Sequence, residues 1–214
     1  MIFTGKITRK KLKSFLELHR SENKTLDLGS GSKRYAQLFP HSLTVDLDPK
    51  RDPDVIADAH NLPFEKGSFA VVLCVEMLEH VKEPRQVIDE MYRVLAPGGK
   101  VILTTRFMFP FHDAPDDYWR FTRTGLEYLF SDWDNIAIQE EAETFETMAI
   151  LLQRIGFKTR LRFDIVFRQA LFIIAKLLPY LDRFVLEKHG EGKDDPHVPY
   201  FMSSGYYVVA TKPK

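Results

Sequence analysis

The chain has a single cysteine, no net charge, no internal repeat and no apolar run long enough to cross a bilayer. With Cys74 alone among 214 residues, no intramolecular disulfide can form and no multi-cysteine zinc site can be built, a composition that fits a reducing compartment. Lys plus Arg number 30 and Asp plus Glu number 30, which excludes a binder that works by bulk phosphate attraction. The most apolar stretch, Ile165 to Leu181, is broken by Arg168, Lys176 and Pro179, so it falls short of the roughly 18 uninterrupted apolar residues of a spanning helix. The opening MIFTGKITRKKLKSF has no apolar core after its bases, and the expected location is therefore the cytoplasm.

What is present is enough apolar material, 44%, for the core of one domain. Residues Ile7 to Arg20 place Leu12, Phe15, Leu16 and His19 on one helical face. Short apolar runs follow at a steady interval: TLDL (25–28), LTVD (43–46), VIA (55–57), AVVLCV (70–75) and KVILTT (100–105). Between the last two, Val87, Ile88, Met91, Val94 and Leu95 mark a helix that Pro97-Gly98-Gly99 is expected to stop. A helix capped by Thr124, a strand over Asn135–Gln139 and a last strand, YYVVAT (206–211), complete the pattern. Strands without polar alternation, interleaved with helices, predict an α/β domain whose sheet is mostly parallel and covered on both faces. Residues 140–205 read as a helical insertion, apolar and basic from about Phe145 to Val185, followed by the polar loop EKHGEGKDDPHVP.

The first strand runs into Gly29-Ser30-Gly31-Ser32, where a sharp turn lets backbone approach a ligand closely. Asp46 closes the second strand nineteen residues after Asp27, where a carboxylate can accept the two hydroxyls of a ribose. Asp58-Ala59, after the third, offers a carboxylate and an N–H to an adenine edge. A dinucleotide dehydrogenase needs Gly or Ala three residues beyond the second glycine, and Arg34 stands there.

With TLDLGSGS, LTVDLDP, DVIADAHNLPFEKGSF, VLCVEMLEHV, EMYRVLAPGGKVILTT and PFHDAPDDYWRFTRTGLEYLF in this order, the stretch from about Thr25 to Phe130 resembles the class I S-adenosylmethionine-dependent methyltransferases, type 11 group. The resemblance implies a doubly wound, mostly parallel, seven-stranded Rossmann-like sheet whose final hairpin is antiparallel, with the helical insertion before the last strand. It divides 1–214, as a single domain, into an N-terminal helix within 1–24, a cofactor-binding core over 25–140, the insertion 141–205 and the last strand 206–214. It also implies S-adenosylmethionine as cofactor: Asp27, Gly29, Ser30 and Gly31 bordering its methionine half, Asp46 on the ribose, Leu47 on the adenine face, and Asp58 with Ala59 at the adenine edge. Lys33 replaces the family's third glycine, placed either to pair with the cofactor carboxylate or to crowd it. Ala70 replaces an Asp before the fourth strand. Cys74 joins the cofactor-binding set as a small buried apolar side chain without redox role.

Methyl transfer is an in-line displacement in which positioning is the protein's main task, and an oxygen acceptor gains from a general base. Glu76-Met77-Leu78-Glu79-His80 follows strand four; as a helical turn it sets Glu76, Glu79 and His80 on one face. His112 follows strand five. His112 and His80 are the base candidates, His112 first, with Tyr118 and Arg120 positioning the substrate. An Asp117–Arg120 ion pair and a core role for Tyr118, Trp119 and Phe121 are the plainer reading of the same tract. Glu76, Glu79, His80 and His112 also resemble the metal site of small-RNA 3′-terminal 2′-O-methyltransferases; no metal is expected, and this set is the candidate should one bind.

The expected function is methyl transfer to a small-molecule, glycan or lipid-linked acceptor, oxygen first, by a monomer or homodimer. The alternatives are metal-assisted RNA 2′-O-methylation and a methyltransferase-fold interaction subunit without turnover. The zero net charge is itself a cancellation: residues 1–24 carry net +5, residues 131–146 net −6 and residues 154–176 net +5. The last of these interleaves bases with large apolar side chains: a helical subdomain packed on the sheet with its bases solvated is the plainer reading, and a lid for a hydrophobic substrate, a dimer surface or a peripheral membrane contact are the alternatives.

Overall fold

The computed structural model describes residues 6–30, 33–160, 162, 164–186 and 202–214. Seven strands form one sheet: β1 (Thr25–Leu28), β2 (Ser42–Asp46), β3 (Val55–Ile56), β4 (Phe69–Val75), β5 (Leu95–Arg106), β6 (Asp134–Glu140) and β7 (Gly205–Thr211), in the order β3-β2-β1-β4-β5-β7-β6. All four residues of β1 are buried, as a strand without polar alternation requires when both faces are covered. β1 pairs in parallel with β2 and with β4, and β4 with β5. Gly98 N–H donates to Lys212 O and Phe107 N–H to Ser204 O; the start of β5 thus meets the end of β7, and the pair is antiparallel. The sheet is mixed, with its last strand antiparallel to β5.

Helix α1 spans Ile7–Leu18. α2 (Pro84–Val94) buries Val87, Ile88, Met91 and Val94 at helical spacing, and Pro84 suits its first turn. Its end differs from expectation: Leu95 already belongs to β5 and pairs with Phe69, whereas Lys100 pairs with Val71. Ala96 to Gly99 is therefore an irregularity inside the strand, with Gly98 at φ +77°, rather than the turn that stops the helix. α3 (Arg123–Leu129) is capped by Thr122, whose hydroxyl accepts from Gly125 N–H at 3.0 Å; Thr124, the expected cap, lies inside the helix.

The chain forms two compact units. One comprises residues 15–106, 111–139 and 206–214 and holds nearly all of the sheet; the other comprises 1–14, 107–110 and 140–205. The second contains α4 (Thr144–Lys158), α5 (Asp164–Leu177) and a 3-10 segment, Leu178–Phe184, which fill the apolar, basic part of the expected insertion. Within it Gln153 accepts from Ile7 N–H, Lys11 pairs with Glu146 at 2.6 Å, and Asp182 accepts from Phe145 and Glu146 N–H at the start of α4. The polar loop EKHGEGKDDPHVP lies outside the described residues. Among the described residues no helix is long and apolar enough to cross a membrane.

Candidate functional site

The strand order reverses between β1 and β4, and an open α/β sheet binds ligands at the carboxyl ends flanking such a reversal. β1 ends at Leu28, and Gly29 follows at φ +69°, where a side chain would be strained. A Cβ there would also lie 2.8 Å from Met77 Cβ, so the exits of β1 and β4 lie too close for anything but glycine. Gly29 and Ser30 donate their N–H groups to Val45 O, which ties this turn to β2; Gly31 lies outside the described residues. Asp27 is buried in β1, opposite Thr44 and Leu73. Burial, aided by the charge of Asp46, pushes its carboxyl up to about 7.

Asp46 closes β2 and accepts from Asp48 N–H through Oδ1. Next to it Leu47 is 67% exposed. Asp46 sits opposite Ile56 in the β2–β3 register, two residues before Asp58, so the two acids leave neighbouring strands on the same edge of the sheet. Asp58 accepts from His60 N–H at 2.9 Å and faces its Nδ1 at 2.6 Å, contacts that hold its carboxyl below the usual range; Ala59 is half-buried. A carboxylate beside an exposed apolar side chain, with a second acid on the next strand, suits ribose hydroxyls and a purine face, and these residues fit the adenosine half of S-adenosylmethionine.

Two further residues of the expected cofactor-binding set are engaged or enclosed by the protein itself. Lys33 Nζ lies 2.5 Å from Asp54 Oδ1, and the other oxygen of Asp54 accepts from Thr44 N–H and Oγ1. The lysine is thus directed to the β2–β3 connection instead of a ligand carboxylate. Cys74 is fully buried within β4 and presents no surface to a cofactor.

The exits of β4 and β5 bring the catalytic candidates together. Glu76 has φ +51° and only Leu78–His80 forms a 3-10 turn, so Glu76 does not share a helical face with Glu79 and His80. It pairs instead with Arg106, which is 2% exposed at the end of β5. Glu79 is fully buried: Oε2 accepts from Thr105 Oγ1 at 2.8 Å, and Oε1 lies 3.9 Å from His112 Nε2. Burial raises its carboxyl pKa, and the Arg106 charge limits the rise. His80 Nδ1 sits 2.5 Å from Asp116 O, and the His80 and His112 rings meet edge to face at 4.8 Å. His112 Nδ1 is 3.3 Å from Asp117 Oδ2; burial lowers the imidazole's pKa despite that carboxylate. Donor atoms of Glu79, His80 and His112 lie within 4.8 Å of one another, a spacing able to share a proton or hold a divalent cation. Glu76 stands outside this set.

The loop bearing His112 is fastened by backbone. Tyr118 and Trp119 donate their N–H groups to Glu79 O at 3.0 and 3.1 Å, and the Trp119 indole donates to Val81 O. Asp117 accepts from His112 N–H and forms a two-point pair with Arg120 at 2.7 Å. Arg120 is thus directed into the loop, as the plainer reading of the tract has it, and the Tyr118 hydroxyl donates to Asp116. Phe121 is buried, whereas Tyr118 and Trp119 are exposed. Sequence reasoning missed Thr105, Arg106 and Asp54. The polar Thr104-Thr105-Arg106 closing an apolar run was the available signal, because a cation at the end of a buried strand needs a partner.

Residues 26–103 match a family described as methyltransferase domain. A ubiquinone biosynthesis O-methyltransferase of Pseudomonas aeruginosa is 54% identical over 106 residues, covering 49% of this chain and 40% of that protein. The chain spans less than half the length of the curated relatives it matches, 22% for the corresponding enzyme of Psychrobacter cryohalolentis. A methyltransferase structure from Archaeoglobus fulgidus superposes with TM-score 0.60 at 14% identity over 97% of this chain and 95% of that one. Phosphoethanolamine N-methyltransferase 2 of Haemonchus contortus, solved with S-adenosylhomocysteine, does so with TM-score 0.59 at 16% identity over 96% of this chain and 53% of that one. Strand order, the acids at successive strand ends and the matched segment agree: over residues 26–103 the chain is similar to the methyltransferase domain family, and its fold is that of the methyltransferase structures.

Proposed function

We propose that the protein transfers a methyl group from S-adenosylmethionine to an oxygen of a small-molecule, glycan or lipid-linked acceptor. The observation that carries this reading is the convergence of Glu79, His80 and His112 at the exits of β4 and β5, beside strand ends whose acids suit adenosine. Asp46 would hold the ribose, Leu47 the adenine face, and Asp58 with Ala59 the adenine edge. When bound, the cofactor supplies an electrophilic methyl on a sulfonium. His112 would take the acceptor's hydroxyl proton, leaving that oxygen free to accept the methyl group. Glu79 and Asp117 flank the imidazole at 3.9 and 3.3 Å and favour the imidazolium so formed. Burial keeps the ring neutral, and hence a competent base, at neutral pH.

Calorimetry with S-adenosylmethionine tests the cofactor half. Asp46→Ala removes charge-assisted bonds of about 1.5–3 kcal/mol, so affinity falls by roughly 10- to 150-fold; absence of donor binding to the unaltered protein overturns the proposal. Labelled methyl transfer into phenolic, sugar and lipid-linked hydroxyl acceptors tests the rest. His112→Ala is expected to cut turnover about 10²- to 10⁴-fold with donor affinity unchanged, and near-normal turnover removes His112 from the mechanism. The 4.8 Å spacing of the three donor groups favours one second reading, cation-assisted transfer. Loss of activity on chelation, restored by a divalent ion, selects it.

A further inference from the structure

Helix α5 has two apolar sides, and among the described residues only one of them is covered. Its inner side carries Phe172 and the buried Ala175. A Cβ built on Gly156 of α4 would stand 2.8 Å from the Phe172 ring, and the Phe157 and Phe172 rings lie 4.8 Å apart; the inner side is thus packed on α4. Val166, Ala170, Ile173 and Leu177 follow i, i+4, i+7, i+11 spacing along the opposite side. All four are exposed, Val166 at 69% and Leu177 at 59%. Phe184 and Leu186, exposed at 66% and 93%, extend apolar surface beyond the helix.

A helix with a second apolar side that its own fold leaves exposed buries that side against another protein surface or in lipid. α5 has 14 residues, about 21 Å at 1.5 Å per residue, too short for a hydrocarbon layer of about 30 Å. A helix of this kind lies along a membrane surface. The charges around it specify which surface: Arg160, Arg162, Lys176 and Arg183 are all exposed. The acidic side chain described in this stretch, Asp182, is turned onto the N–H groups of Phe145 and Glu146. Among the described side chains the rim is therefore cationic. A symmetric contact with a second copy would bring two such rims together, whereas anionic headgroups neutralise them.

We propose that the outer side of α5 and the segment after it dock on an anionic phospholipid surface. Val166, Ile173, Leu177, Phe184 and Leu186 enter the acyl boundary, and Lys176 and Arg183 meet headgroup phosphates. This surface goes beyond the proposed chemistry and does not depend on it.

The test is co-sedimentation of the full chain with phosphatidylglycerol/phosphatidylcholine vesicles and with phosphatidylcholine vesicles alone, at low and high salt. Binding is expected to the anionic vesicles and to weaken with salt. Each base near such a surface contributes about fivefold, so Lys176→Ala with Arg183→Ala lowers partitioning about 25-fold. Ile173→Glu with Leu177→Glu, both at exposed positions, is expected to abolish it while circular dichroism stays unchanged. Absence of binding at low salt, equal binding to both vesicles, or retention by both double variants overturns the proposal. So does a vesicle-inert dimer that Ile173→Glu with Leu177→Glu converts to monomer.

Discussion

Replacing Asp27 with Asn is expected to stabilise the ligand-free protein, and to do so only above acid pH. The carboxyl is buried, with the charge of Asp46 nearby, and titrates near 7 instead of its ordinary 3.8. Between those values the folded chain holds a proton that the unfolded chain has released. Stability therefore falls as pH rises through this window, and it levels off above the folded value. At about 1.36 kcal/mol per unit, a rise of roughly three units amounts to about 4 kcal/mol at pH 8. Asn copies the neutral acid in shape and cannot ionise. Asp27→Asn should accordingly match the parent near pH 4, exceed it by roughly 1.5 kcal/mol at pH 5 and by about 4 kcal/mol at pH 8. Urea denaturation at the three pH values measures this directly. A gain that does not vary with pH, or a loss at pH 8, refutes the assignment of a desolvated carboxyl at this position. In an Asp46→Asn background the fall should level off at lower pH, because one of the two causes of the shift has been removed.

Two further substitutions test local geometry. Gly29→Ala places a methyl group at φ +69° against Met77 and should cost about 2–4 kcal/mol in chemical denaturation; a change below about 0.5 kcal/mol counts against the tight β1–β4 exit. Thr122→Ala removes the hydroxyl that accepts from Gly125 N–H and should cost about 1 kcal/mol. Thr124→Ala, two residues later, should stay within about 0.5 kcal/mol, and the reverse order refutes the capping assignment.

The strands were legible because both faces of the sheet are covered and leave apolar runs such as Phe69–Val75. Gly29 was legible for a similar reason: a glycine right after a buried strand marks backbone that a side chain would obstruct. The cap of α3 was misplaced by two residues because Thr122 and Thr124 are chemically alike, and only backbone direction separates them. Lys33 went astray on its partner, since Asp54 lies 21 positions away and meets it through the β2–β3 connection. Glu76 was misread through its backbone. A left-handed residue before a 3-10 turn breaks the i, i+3 geometry that the letters E-x-x-E-H imply. The convergence of His112 with Glu79 and His80 was expected from their strand exits, but the buried Thr105 and Arg106 beneath them were not. The exposed outer side of α5 is invisible in composition, because its apolar residues look like core until the packed side is known.

The carbonyl of Glu79 holds two consecutive N–H groups of the His112 loop, and Asp117 returns to cap His112 N–H. The four residues between these anchors, Asp113 to Asp116, are exposed, and their side chains are not needed for either anchor. The loop thus separates what holds the histidine from what faces outward. On the proposed function, exchanging residues 113–116 is expected to change which acceptor is taken while the imidazole stays in register with Glu79. New specificity would then ask for rewriting four positions rather than rebuilding the set around His112.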